Sequence, residues 1–229
     1  MTFNLKTHLG RRPFTAMELH ALFNGYIYSD YKVAKEQPKH WHFWLPLVAY
    51  YTGAFSDEIA CLTKQDVITV GEHCFFDFHT NSKLQPRLIP IHPALCDAGL
   101  FEFIATLPNE DSRLLYDLPA KNGRYSEKAR IWFSGEGERQ GYLQKCMIPN
   151  IDHDGRKVAI SSFRLNFEQQ IRIAAMQAGN KDLFNYLLGF NEFQGDIAPL
   201  LTDLPPIMFG VRSLPPQLTW LRFINRLKP

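Results

Sequence analysis

The chain lacks any apolar run of about 18 residues, the length a membrane-spanning helix needs. Its opening, Met1 to Lys6, lacks the apolar stretch of a secretion signal, so a cytoplasmic protein without a membrane partner is expected. Cysteine is scarce. Cys61, Cys74, Cys96 and Cys146 show no C-x-x-C spacing, which argues against a zinc site and predicts reduced thiols. An excess of one charge is also missing: 25 Lys and Arg face 23 Asp and Glu, a net charge of +2. That balance permits a nucleic-acid partner but does not demand one, because clustering on one face decides. Internal repeats and low-complexity segments are absent, and the sequence implies no cofactor or metal.

What is present is material for a core. The 229 residues are 45% hydrophobic and include 18 Phe, which excludes a disordered chain and suits one domain spanning 1–229. Thr15 stands as a cap before a helix over residues 14–23, with Met17, Leu19 and Leu22 as its apolar stripe. A very apolar helix is expected over 38–51, stopped by Thr52-Gly53, and a short one over 57–63. Strands are expected over 66–70, 74–78 and 87–91, with a hairpin at Gly71-Glu72 and Pro90 confining the third strand to an edge. Helices follow over 93–106, 126–147 (broken near Gly135 to Gly137), 161–178, 181–188 and 215–227. The order predicts an α+β, mainly helical fold with a small antiparallel sheet.

Three blocks resemble the catalytic domain of the tyrosine recombinase (phage integrase) family. Trp44 to Leu62 resembles the helix ending in Tyr-Thr-Gly-x-Arg-x-x-Glu, and Asp66 the residue that opens the sheet. Arg87 to Pro93 is similar to Ser-x-Arg-x-Ile-Pro-Leu-His-Pro, and Ser161 to Phe190 to His-x-x-Arg followed by Leu-Gly-His. Met208 to Leu214 resembles the Tyr-Gly segment more weakly. The family's N-terminal DNA-clamping arm has no counterpart here.

In that family a tyrosine attacks a DNA phosphodiester. Two arginines, a lysine and two histidines stabilise the growing phosphate charge and move protons. Under the resemblance the first arginine falls on Phe55, the lysine near Asn81 with Lys83 close by, and the histidines on Ser161 and Phe190. The tyrosine falls on Phe209, and only the second arginine survives, as Arg164. Phenylalanine has no hydroxyl to attack with and none of the five N–H donors of arginine. The resemblance therefore implies a centre that no longer cuts DNA, with Phe55, Phe190 and Phe209 expected as core.

Arg164 reads either as a retained phosphate contact or as an ion pair with Glu58 or Asp57, and Glu58 itself reads as scaffold. Lys83, Arg87, Arg156 and Lys157 read either as DNA-backbone contacts or as solvated charge. His40-Trp41-His42 reads as helix start and core, because alternate residues on a helix do not share a face. The helix over 215–227 either docks on a neighbouring protomer or recombinase, or folds back. The expected function is a degenerate recombinase-like DNA-binding accessory factor of a mobile element. The alternatives are an active recombinase with an atypical centre and a protein-interaction module.

Overall fold

Thr15 begins helix α1 (Ala16–Phe23) through a reciprocal cap: its hydroxyl accepts from Glu18 N–H, and the Glu18 carboxylate accepts from Thr15 N–H. The buried stripe is Leu19, Leu22 and Phe23, while Met17 points to solvent, so the inward face is rotated from the one expected. The computed structural model describes residues 10–31, 33, 36–79, 84–177, 181–190, 204–205, 208, 210–214 and 216–227.

Helix α2 (His40–Thr52) is buried almost all round, as its apolar composition requires. The Asp117 carboxylate accepts from the His40 and Trp41 N–H groups at its start, where the helix dipole favours negative charge. Gly53 ends it with φ of +63°; a Cβ there would meet Phe167 at 2.4 Å, so both the conformation and the close approach require glycine. Helix α3 (Ser56–Cys61) and a 3₁₀ turn (Lys64–Asp66) lead into the sheet.

Strands β1 (Val67–Val70), β2 (His73–Phe78) and β3 (Arg87–Pro90) pair antiparallel in the order β1-β2-β3, with Phe76 opposite both Val67 and Ile89. Pro90 thus sits on an edge strand, where a missing N–H donor is tolerated.

Two of the expected helices are each split. Residues 93–106 form α4 (Pro93–Asp97) and α5 (Leu100–Ala105), parted at Gly99 with φ of +94°. Residues 126–147 form α6 (Ser126–Ser134) and α7 (Tyr142–Lys145), where Gly135 and Gly141 pass too closely for a Cβ on either. Asp57 accepts from the Tyr125 and Ser126 N–H groups and so seats the start of α6.

Helix α8 (Ser162–Gln177) places Phe163, Phe167, Ile171 and Ala175 inward at intervals of four residues. The Phe163 ring packs against Phe14 and Phe23 at tilted angles and edge-on to Phe133 and Tyr50, tying α8 to α1, α2 and α6 in one apolar core. Helix α9 (Lys181–Leu187) follows. Helix α10 (Trp220–Leu227) folds back on its own chain. Trp220 N–H donates to Ala98 O at 2.8 Å, and Phe223 packs on Phe43 with ring centres 5.0 Å apart. Its apolar face is thereby used within the chain, leaving Leu221 exposed.

His40-Trp41-His42 is helix start and core, as its spacing implied. Burial, with help from Lys39, Lys145 and Arg139, pulls His42 down to about 3, and its Nδ1 accepts from Lys39 N–H at 2.7 Å. Burial also lowers His40 and His92. A depressed histidine favours the folded state fully above its unfolded pKa, near 6.5, and loses that stabilisation as pH falls towards the folded value. Stability is therefore expected to drop from pH 7 to pH 5, with His42 contributing up to about 1.4 kcal/mol per pH unit. Urea melts across that range check this: His42→Gln, which keeps an acceptor for Lys39 N–H, is expected to flatten the slope by one proton's worth. An unchanged slope contradicts the assignment.

Candidate nucleic-acid interface

Arg164 stands in the first turn of α8, at the meeting point of three chain segments. Its Nη1 donates to Gly53 O at 2.9 Å and its Nη2 to Leu188 O at 2.6 Å. Both carbonyls lie just past helix ends, α2 and α9, where the helix dipole is negative, so a cation is favoured there. The guanidinium faces the Phe55 ring at 4.8 Å and the Phe190 ring at 5.6 Å. Burial first, then the nearby Arg87 charge, pulls Arg164 down to about 10, against the pull of Glu58 and Glu168; it stays protonated at neutral pH.

Arg164 is therefore neither an open phosphate ligand nor half of an ion pair with Glu58 or Asp57. Its terminal nitrogens are committed to two backbone carbonyls, whose burial without a donor would be costly. Phe55 and Phe190 correct the core expectation too, at 36% and 53% exposed. Their rings cover a buried charge rather than filling the interior.

Glu58 takes Arg87 as its partner instead. Arg87 Nη1 donates to Glu58 Oε1 at 2.8 Å, with the two side chains 1% and 2% exposed. Glu58 Oε2 also accepts from Phe55 N–H at 2.8 Å, fixing the corner before α3, which is the work of a scaffold residue. The expectation that Arg87 offers a DNA contact is thus corrected: it is buried at the base of β3, over the Phe78 ring at 4.9 Å. Among the described residues its Nε and Nη2 find no acceptor, and the π face of Phe78 offsets part of that cost. Gly189, with φ of +68°, makes room: a Cβ there would sit 3.2 Å from Arg87 Nη1 and 3.0 Å from Leu84. The glycine of the Leu-Leu-Gly-Phe run thus lets α9 close on the strand.

A cation that the sequence pattern did not single out joins this face. Arg11, exposed, donates from Nη1 to Ser161 Oγ at 2.6 Å, one turn before Arg164. Three contacts hold the N-terminal segment there. Asn166, buried in α8, accepts from Phe14 N–H at 2.9 Å and donates to Phe14 O at 2.7 Å. Arg12 forms ion pairs with Glu18 and Asp152. Arg11 and Lys157 form a parallel bridge, with Arg12 N–H donating to Lys157 O at 3.1 Å. The basic Arg11-Arg12 pair before the Thr15 cap was the signal available in the sequence.

Lys157 is exposed and stands beside Arg11 through that bridge. Arg156 is half-exposed and paired with both Asp152 and Asp154, so much of its charge is already answered. Asn81, Lys83 and Phe209 lie outside the described residues. Tyr186 accepts from Leu88 N–H at 2.7 Å and is buried, serving as scaffold between α9 and β3. A separate cavity of about 100 Å³ beside the sheet is lined by Glu58, Cys61, Asp66, Asp77 and His79. Its carboxylates oppose phosphate, and among the described residues no group has the arrangement of a metal site.

Phe55, Arg164 and Phe190, brought from three separate parts of the chain, meet at one point, with Ser161 and Arg11 on the preceding turn. No protein-family model, curated protein or solved structure matches the chain. The class of protein therefore rests on the fold and on this face.

Proposed function

We propose that the chain is a nucleic-acid-binding protein on a recombinase-like core whose strand-cutting centre has degenerated, acting as an accessory factor of a mobile element. The observation that carries the reading is the convergence of Phe55, Arg164 and Phe190 beside Ser161. The recombinase resemblance requires those positions to meet, although more than 100 residues of chain separate the first from the others. Without an attacking hydroxyl or the lost cationic donors, the face has binding rather than cleavage left to do. Arg11 and Lys157 supply its exposed cations, and phosphate contacts made by such residues position a duplex without reading its sequence.

Fluorescence anisotropy of a labelled random-sequence duplex at low salt tests this. Wild-type protein is expected to bind, and Arg11→Ala with Lys157→Ala to weaken binding several-fold. Arg156→Ala is expected to change little, since Asp152 and Asp154 already hold that charge. Absence of wild-type binding at low salt to duplex and to single strand alike sinks the reading and favours a protein partner for the exposed Phe55 and Phe190 rings.

A further inference from the structure

Resting on the nucleic-acid reading, we infer that the Phe55–Arg164–Phe190 face holds unpaired bases by stacking, so that single-stranded nucleic acid is preferred to duplex. Phe190 is 53% exposed and Phe55 36% exposed, an uncommon position for two large apolar rings. Both pack against one guanidinium, at 5.6 and 4.8 Å. That guanidinium is anchored to the carbonyls of Gly53 and Leu188, so it cannot swing away with a ligand. The rings are held in place before any partner arrives, which lowers the ordering cost of binding.

The neighbouring charges favour a polyanion over an apolar peptide. The N-terminal segment brings the exposed Arg11 to Ser161, three residues before Arg164, and the exposed Lys157 is bridged to Arg11, so two cations lie on the chain next to the turn that carries Arg164. A cationic margin with aromatic platforms is the arrangement that tracks a single strand, because every unpaired base offers a π face. Paired bases inside a duplex present only their edges, and the rings then have nothing to stack on.

The test uses a short oligonucleotide carrying 2-aminopurine at its centre, offered single-stranded and as a duplex to the full chain and to Phe190→Ala. Phe190 is more than half exposed, so its removal leaves the core intact, and thermal melting verifies that. Wild type is expected to bind the single strand more tightly and to change its 2-aminopurine fluorescence. Phe190→Ala is expected to weaken single-strand binding about 5- to 150-fold and to abolish the fluorescence change, with duplex affinity unaltered. Phe190→Trp is expected to restore both. Single-strand affinity that ignores Phe190→Ala, or an equal loss on duplex, overturns stacking while leaving the nucleic-acid reading standing. Failure to bind either polymer overturns both.

Discussion

Glu58→Ala is expected to destabilise the fold by about 3–5 kcal/mol, the cost of leaving a buried charge without its partner. The side chains of Glu58 and Arg87 are 2% and 1% exposed, and two Arg87 donors already lack acceptors among the described residues. Arg164 stands close enough for its charge to be felt along with that of Arg87. Removing the carboxylate leaves two buried cations that repel each other without the Glu58 anion nearby and also frees the Phe55 N–H. Urea unfolding measures the loss. The double variant Glu58→Leu with Arg87→Met is expected to recover much of it, because an apolar pair of similar volume needs no charge compensation. A single-variant loss below about 1 kcal/mol, the range of an exposed pair, contradicts the buried ion pair.

Arg164→Lys is expected to cost about 2–4 kcal/mol, since each buried carbonyl left without a donor costs about 1–3 kcal/mol. The planar fork of arginine spans Gly53 O and Leu188 O together; one ammonium on a flexible stem does not. The loss is expected to be local as well as global. Hydrogen exchange should quicken at Leu188 and Gly189, whose N–H groups bond within the turn that ends α9. Duplex affinity of the folded variant is expected to stay near that of wild type, because Arg164 is committed to backbone rather than to phosphate. Unchanged stability, or weakened binding with stability intact, would return Arg164 to the role of a phosphate ligand.

Local chemistry carried much of the fold in the sequence. Thr15 announces the start of α1, Gly53 the left-handed end of α2, and Gly71-Glu72 the turn between β1 and β2. The break near Gly135 was legible from its glycines, whereas the one at Gly99, between two short helices that share an apolar period, was not. Site residues failed for a different reason. The partner of Glu58 was undecidable by spacing, since Arg87 and Arg164 are both close enough for their charges to act on its surroundings, and only Arg87 pairs with it. Phe55 and Phe190 read as core because phenylalanine usually is, and nothing local shows that a buried guanidinium takes up the space beneath them. The Arg11-Arg12 pair marks a basic segment, but its place beside Ser161 is not local, because it depends on Asn166, 152 residues from the backbone group it clamps.

In the proposed function Arg11 and Lys157 are the cations that meet a phosphate backbone, and the salt dependence of duplex binding tests that role most directly. Plotting log K against log salt for wild type and for Arg11→Ala with Lys157→Ala counts the phosphates each protein neutralises. The slope is expected to be shallower by about 1.8 in the double variant, at about 0.9 for each phosphate no longer neutralised. A slope that does not change, with binding intact, places the polyanion on some other surface and contradicts the proposal.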